Sequence, residues 1–211
     1  CRSCDLWKCT FGIFLAAAAC GALAQAYPAK PIRLIVPLAP GGPSDILART
    51  MAAQLTPNMG QSILVDNRAG AGGTVGSDIA AKSPADGYTM VLISASTYTM
   101  NAGLFAKLPF DSRKDLTPVT ILAASPSLVT VHPSLPVKTL SQLVALSKAR
   151  PKDLNFGSGG TTGQLHMELL RLRTGMFIAH IPYKGAGPVL IDQIAGHVQV
   201  SFLSVIATSP M

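Results

Sequence analysis

The chain has 211 residues, of which 48% are hydrophobic and only 13% are charged. This composition allows a sizeable buried core, and it excludes intrinsic disorder and a multi-span membrane protein. The formal charge is +7, but the basic residues are scattered without a run of three and aromatic residues make up only 6%, so a nucleic-acid-binding surface is not expected.

The first 26 residues are predicted to be a signal peptide. Arg2 and Lys8 supply positive charge, an apolar stretch follows over residues 11–19, and Ala24-Gln25-Ala26 has the small-x-small pattern of a cleavage site. The stretch is shorter than the roughly 20 residues of a membrane span, and a retained anchor or lipid attachment at Cys20 are the alternatives. All four cysteines lie in this segment, so zinc clusters, disulfides and thiol catalysis are excluded for a chain cleaved after Ala26.

Strand–helix units are predicted along the first half. The β-rich run Ile32–Val36 leads through a Pro/Gly turn to a helix that Ser44 is expected to cap, with Asp45 in its first turn. The other elements predicted in this half are strands at 63–65, 89–93 and 119–122 and a helix over 74–82. A boundary between two domains is expected near residues 123–126.

The second half repeats the scheme. Thr139 and Gln142 form a capping-box pattern, and Pro188 suits the first turn of a helix that Gly196 ends. Strands are predicted at 128–131, 154–156, 178–182 and 198–203, and a helix follows the second of them and ends near Gly175. Alternating strands and helices predict an α/β protein with mostly parallel sheets and helices on their faces.

Glycine-rich turns are the strongest functional pattern. Residues 70–76 and 157–163 both read G-x-G-G-T-x-G, and residues 40–42 and 185–187 are also glycine-rich. Each turn lies between a predicted strand and a predicted helix, where free amides favour an anion at the carboxyl edge of a parallel sheet. Because neither a dinucleotide fingerprint nor a P-loop is present, the pattern favours small carboxylates or similar anions over phosphate cofactors.

Catalytic patterns are missing from the sequence. It contains no G-x-S-x-G elbow and no H-E-x-x-H pair. His166 is next to a glycine turn and is interpreted as a helix-face histidine, and Glu168 as a solvated residue. No catalytic residue, metal or cofactor is therefore expected, and an exported α/β hydrolase or transferase is the competing class.

A series of short motifs after residue 26 matches one known family in order and in spacing. The motifs are Tyr27–Arg33, Pro40–Asp45, Asn67–Gly73, Ser83–Thr89, Asp115–Val119, Asn155–Gly159, Pro182–Gly185 and Gly196–Val200. Together they resemble the Bug family, the periplasmic substrate-binding proteins of tripartite tricarboxylate transporters.

The resemblance implies a type II periplasmic-binding-protein (Venus flytrap) fold, with a first lobe over residues 27–123 and a second over 124–211. The lobes would close on a small organic carboxylate in the periplasm and deliver it to the membrane permease subunits of a tripartite transporter. Ligand sensing for a membrane receptor is the alternative. Family members are longer than this chain, so the return crossover is expected to be missing and the first lobe incomplete, with an unpaired sheet edge and exposed apolar faces.

The resemblance also implies a ligand site of backbone amides and hydroxyls rather than arginines. The first lobe would contribute Pro40, Gly41, Gly42, Gly72, Gly73, Ser94, Ser96 and Thr97, and the second lobe Ser158, Gly160, Thr161, Tyr183 and Asp192. Asp192 would either orient its helix or meet an amino group on the ligand.

Overall fold

Two separate β-sheets organise the chain in the computed structural model, which describes residues 27–151 and 153–208. The predicted signal peptide, with its cleavage site and Cys20, lies outside the described residues. Within the described ranges, no helix is both long and apolar enough to span a bilayer.

The first sheet has three parallel strands in the order β2-β1-β3. The strands are β1 (Ile32–Val36), β2 (Ile63–Asn67) and β3 (Thr89–Val91); the helices are α1 (Pro43–Met59), α2 (Thr74–Ala81), α3 (Ala95–Thr99) and α4 (Asn101–Leu104), with a 3-10 turn at Ala71–Gly73. We call this sheet and its helices the first lobe. Its central strand β1 is the most deeply buried, as expected for a parallel strand covered on both faces.

The second sheet has four strands in the order β4-β7-β5-β6. The strands are β4 (Ser127–Val131), β5 (Asn155–Ser158), β6 (Ala179–Pro182) and β7 (Val200–Ser204); the helices are α5 (Leu140–Ala149), α6 (Thr161–Thr174), α7 (Ala186–Ile194) and α8 (Val205–Thr208). Only β4 among these runs antiparallel to its neighbour. We call this sheet and its helices the second lobe.

The first and last strands of the second lobe meet at one place. Ser127 at the start of β4 pairs with Ser204 at the end of β7. The Val205 amide then donates to the Pro126 carbonyl at 3.1 Å. The start of β4 and the end of β7 therefore lie side by side.

The helix starts show one wrong and two correct sequence predictions. Gly42, not Ser44, is the N-cap of α1, because Pro43 occupies the first helical position, where its fixed φ and missing N–H are tolerated. Asp45 lies in the first turn as predicted. At α5 the predicted capping box is confirmed, since the Thr139 side chain accepts from the Gln142 amide and the Gln142 side chain accepts in return.

The strand predicted at residues 119–122 is wrong. These residues adopt no regular structure, and Val119 and Ile121 are each 88% exposed. A β-rich composition favours a strand only where a neighbouring strand supplies hydrogen bonds and packing. Within the described residues no strand pairs with this segment.

The two lobes differ in the size of their cores. Apolar side chains buried together in the second lobe are Leu143, Leu154, Phe156, Met167, Met176, Ile178 and Val200. The first lobe buries a smaller cluster around Leu34, Val36 and Ala48. In the described part of the chain the first lobe also has the smaller sheet, with three strands against four, and the outer edge of β3 is unpaired.

Candidate functional site

A cavity of about 230 Å³ lies between the lobes. The first lobe lines it with Leu38, Gly70, Ala71, Gly72 and Gly73, and the second lobe lines it with Gly159, Pro182, Tyr183 and Lys184. These residues follow or end strands β1, β2, β5 and β6. The cavity therefore lies at the carboxyl ends of parallel strands, where open α/β sheets bind ligands.

Three helices begin at the cavity. Helices α2, α6 and α7 have Gly73, Gly160 and Gly185 as N-caps, and none of these residues has a side chain to cap the first amides. The first N–H groups of a helix lack intrahelical acceptors, and the helix dipole favours negative charge there. At α6 and α7 this arrangement provides donors for an anion. At α2 the first amides, those of Thr74 and Val75, already donate to the Ala71 and Gly70 carbonyls of the preceding 3-10 turn.

Glycine is required where these turns pack closely against neighbouring elements of their own lobe. Gly72 and Gly73 have φ values of +62° and +93°, in the left-handed region that glycine adopts readily. A Cβ on Gly73 would lie 2.8 Å from the Thr97 Oγ1, and one on Gly159 would lie 2.4 Å from the Ala186 nitrogen. Each of these two turns can therefore pack this closely against its own lobe only without a side chain.

The three hydroxyl residues predicted as first-lobe ligands lie behind the cavity wall. Ser94 caps α3 by accepting from the Thr97 amide, and its Oγ lies 3.0 Å from the Ser96 Oγ and 2.9 Å from the Thr97 Oγ1. The Thr97 hydroxyl also contacts the Gly72 carbonyl at 3.0 Å. In this arrangement the hydroxyl cluster supports the Gly72 turn from outside the cavity lining.

The predicted ligand residues Pro40, Gly41 and Gly42 lie at the boundary between the lobes rather than in the cavity lining. A Cβ on Gly42 would be 3.6 Å from the Ala186 nitrogen at the start of α7. The Gly41 amide donates to the Asp45 Oδ2 at 3.0 Å, which fixes the turn. The turn thus forms a seam between the lobes on one flank of the cavity.

Asp45 is the buried anchor of that turn. Burial raises the pKa of its carboxyl, but hydrogen bonds from Arg49, the Gly41 amide and Asn67 outweigh burial and set the pKa below its ordinary value. Arg49 Nε donates to the Asp45 Oδ2 at 3.0 Å. The ionised carboxylate therefore accepts from both the turn and its own helix.

In the second lobe, Ser158 pairs with a histidine that the sequence did not indicate. The Ser158 Oγ lies 2.6 Å from the His180 Nε2, and Ser158 is only 3% exposed. Burial lowers the pKa of His180, while the Glu168 carboxylate acts in the opposite direction. A neutral imidazole can accept the Ser158 proton in a hydrogen bond, and its ring stacks on Phe156 at 5.5 Å between centroids.

Tyr183 and Asp192 are joined, but only Tyr183 lines the cavity. The Tyr183 hydroxyl donates to the Asp192 Oδ2 at 2.6 Å. Burial, together with this bond, raises the pKa of Tyr183 to about 12. The bond from Tyr183 lowers the pKa of Asp192, whose other oxygen lies 3.5 Å from the His197 Nδ1. Asp192 thus orients the tyrosine ring.

Thr161 and Gly160 stand at the start of α6. Gly160 is the N-cap, and its φ of 169° is extended backbone. The Thr161 hydroxyl donates to Asn101 Oδ1 of the first lobe at 2.8 Å. Asn101 and Lys184 were not selected from the sequence; the Pro182–Gly185 motif pointed toward Lys184, but no local pattern pointed to Asn101.

Side chains that could hold a metal are not grouped here. Across residues 27–151 and 153–208, no three His, Cys, Asp or Glu side chains come together as a set of ligands. The donors that line the cavity are instead backbone amides and the Lys184 ammonium. Such donors suit an organic anion.

Two α/β lobes with an anion-favouring cavity between them define a periplasmic-binding-protein fold, as predicted. The chain belongs to the tripartite tricarboxylate transporter receptor family, whose model matches residues 47–211. Protein BugT of Bordetella pertussis is 43% identical over 190 residues, which are 88% of this chain and 58% of BugT. The Bug-family resemblance seen in the sequence is confirmed.

Solved structures with bound carboxylates share the fold. R. palustris Rpa4515 with adipate is 36% identical, with a TM-score of 0.83 over 87% of this chain and 62% of that one. MatC from Rhodopseudomonas palustris with bound malate is 29% identical, with a TM-score of 0.81 over 86% of this chain and 63% of that one. The chain thus spans about three fifths of the length of these relatives.

Proposed function

We propose that this protein is an extracytoplasmic solute-binding protein. It captures a small organic carboxylate between its lobes and hands it unchanged to the membrane permease subunits of a tripartite tricarboxylate-type transporter. The observation that carries the proposal is the cavity that both lobes line, at the start of three helices. The carboxylates bound by Rpa4515 and MatC support it.

Backbone amides are the principal carboxylate donors in this proposal. The amides at the start of α6, next to Gly159, and those of Ala71 and Gly72 in the 70–73 turn lie at the same cavity on opposite lobes, whereas the Gly73 amide donates to the Gly70 carbonyl. A ligand touching both sets satisfies them together only when the lobes are closed, so binding shifts the population toward the closed form. Lys184, an exposed cation among the residues that line the cavity, adds a favourable charge.

The proposed site retains every predicted residue, in two roles. The residues that contact the ligand through an amide or a side chain are Gly72, Gly160, Thr161 through its amide, and Tyr183. The remaining residues hold those turns in place: Pro40, Gly41, Gly42, Gly73, Ser94, Ser96, Thr97, Ser158 and Asp192. Periplasmic location is part of the proposal and is supported by the predicted signal peptide.

The apolar part of the lining favours a ligand with a hydrocarbon body. Leu38, Pro182 and the ring of Tyr183 line the cavity between the amide-rich turns. The Tyr183 O–H is used by Asp192, so this residue offers a ring face and an acceptor oxygen rather than a donor. Carboxylate recognition therefore depends on the backbone.

A thermal melt of the purified chain against adipate and malate tests the proposal. Adipamide and malamide are matched controls, because they keep the shape of each ligand and lose its charge. A carboxylate at about 100 times its dissociation constant adds about 2.7 kcal/mol to the free energy of unfolding, and the diamides should add little. Mass spectrometry of the recovered ligand should show it unchanged.

A cooperative melt that neither adipate nor malate nor related carboxylates shift would contradict carboxylate binding. Chemical conversion of the ligand would contradict simple capture and delivery, and would favour the hydrolase or transferase class instead.

A further inference from the structure

We infer that Asn101 and Thr161 form a latch that closes the two lobes on each other through protein atoms alone. This inference rests on the proposed function, because it concerns closure of the same cavity. It assigns the Thr161 hydroxyl to lobe closure and leaves only the Thr161 amide for the ligand.

The first-lobe half of the latch is Asn101, which hydrogen bonds within its own lobe hold in place. Asn101 is fully buried at the start of α4. Its Nδ2 donates to the Gly72 carbonyl at 3.2 Å and to the Thr74 Oγ1 at 3.2 Å. Because both amide hydrogens are used within the first lobe, the Oδ1 acceptor is directed to the second lobe.

The second-lobe half is the first residue of α6. Thr161 is nearly buried, and its Oγ1 donates to the Asn101 Oδ1 at 2.8 Å. A hydroxyl has a single proton to donate, so this bond leaves none for a ligand carboxylate. A buried bond of this kind also carries a penalty when one partner is lost, because the other partner stays desolvated.

The latch lies directly against the cavity wall. A Cβ on Gly72 would lie 2.9 Å from the Thr161 Oγ1, so the lobes meet here at the turn that lines the cavity. Asn101 holds that turn and contacts the helix start opposite it. Formation of one hydrogen bond therefore sets the spacing between the two amide-bearing walls.

A second interlobe bond reports closure at another place. The Ala39 amide of the first lobe donates to the Lys184 carbonyl of the second lobe at 3.0 Å. Neither residue contacts the latch through a hydrogen bond. The Ala39 amide is therefore protected from hydrogen exchange when the lobes are closed and exposed when they separate.

With protein-only bonds on both flanks, the ligand-free chain populates the closed form, and the ligand supplies only part of the closing free energy. Thr161→Val keeps the side-chain shape and removes the donor. It should weaken carboxylate binding by about threefold to tenfold, the range expected for one net hydrogen bond. It should also speed exchange at Ala39 in the ligand-free protein.

The test measures residue-resolved hydrogen exchange of the Ala39 amide in the ligand-free full chain. The variants are Thr161→Val, Asn101→Ala and the double variant; Thr161→Ser keeps the hydroxyl. Thr174→Val is the matched control, since it removes a hydroxyl of the same helix whose two partners, the Leu170 carbonyl and the Met176 amide, both lie in the second lobe. Amides of β5 and β7 in the same spectra report whether the second lobe stays folded.

We expect faster exchange at Ala39 in both single variants, no further increase in the double variant, and wild-type exchange in Thr161→Ser and Thr174→Val. Unchanged exchange at Ala39 in Thr161→Val, or additive effects in the double variant, would overturn the latch. Because no ligand is present, faster exchange supports the latch even if no carboxylate binds, so a failure of the proposed function is a separate result.

Discussion

Gly187 lies directly against Pro40 across the boundary between the lobes. A Cβ on Gly187 would stand 2.6 Å from the Pro40 carbonyl oxygen, closer than a side chain tolerates. Gly187 is the second residue of α7, where alanine suits a helix better than glycine does. The requirement for glycine therefore comes from the opposing lobe and not from the helix itself.

Gly187→Ala should block full closure while leaving the second lobe folded. Accommodating the added methyl group requires the lobes to shift apart, and overpacking of this size costs enough to weaken carboxylate binding by about tenfold or more. Titration calorimetry with adipate and malate measures the loss. Gly103→Ala in α4 is the matched control, because no other heavy atom lies within 4 Å of the added Cβ. Equal affinity in the two variants would contradict closure at this seam.

Lys184→Gln should reduce carboxylate affinity by about twofold to fivefold, the range for an exposed, screened charge. Of the described residues that line the cavity, only Lys184 carries a charge. The loss should shrink as salt is raised, because ions screen an exposed ammonium. Lys148→Gln is the control, since Lys148 lies beside Gly175 at the opposite end of α6. A salt-independent loss would indicate a packing effect instead.

Asp192→Asn should leave the preference between amino and non-amino dicarboxylates unchanged. Asp192 accepts from the Tyr183 hydroxyl and does not line the cavity, so its charge orients a tyrosine and does not meet the ligand. Affinities for aspartate and succinate, measured by calorimetry, should fall by the same factor. A selective loss of aspartate binding would show that the carboxylate contacts a ligand ammonium.

His180 should make the protein less stable in acid. Burial lowers the pKa of His180 from its ordinary value of 6.5, so the folded state takes up this proton less readily than the unfolded chain. Its stabilising contribution is complete above pH 6.5 and is lost as the pH falls through the lower pKa of the folded state.

His180→Gln should therefore flatten the dependence of the urea midpoint on pH between about pH 7 and pH 4. His166→Gln, at an exposed position on α6, controls for the removal of a histidine. Identical slopes for wild type and His180→Gln would rule out this origin of acid sensitivity.

The exposed pair Val119 and Ile121 should promote self-association. Both side chains are almost fully exposed in a segment without regular structure. Replacing both with lysine should raise the soluble fraction and leave the melting temperature within about 2 °C, as for most surface substitutions. Thr120→Lys adds charge at the neighbouring exposed position and keeps both apolar side chains. A large fall in melting temperature in the double variant would mean that these side chains are packed in solution.

Local sequence patterns predicted most elements of the fold. The strand at Ile32–Val36 and the capping box at Thr139 depend on neighbouring residues, and both were predicted correctly. The N-cap of α1 was misplaced because Ser44 is a common capping residue, whereas Pro43 at the first helical position sets the N-cap at Gly42, two positions earlier. The strand at 119–122 failed because β-propensity does not reveal whether a partner strand exists.

Less of the site than of the fold could be predicted from the sequence, because several of its contacts join residues that are far apart in the chain. Glycine turns are local, so the cavity walls at residues 70–73 and at Gly159 were anticipated. Asn101 acts only because the fold brings it to Gly72 and Thr161, which are 29 and 60 positions away in the chain. Likewise the Ser158–His180 pair joins two neighbouring strands. Contacts of this kind have no short-range pattern.

The paired ends of the second lobe have a practical consequence. Ser127 and Ser204 lie opposite each other in the β4–β7 ladder, and the Pro126–Val205 hydrogen bond closes the join. The second lobe is thus one continuous segment whose first and last strands meet, and chain segments with adjacent ends tolerate transfer between related proteins. A segment that starts at Pro126 and runs through α8 could therefore be exchanged between relatives as one unit. Such an exchange would combine the first-lobe wall of one cavity with the second-lobe wall of another, and would show which wall sets ligand preference.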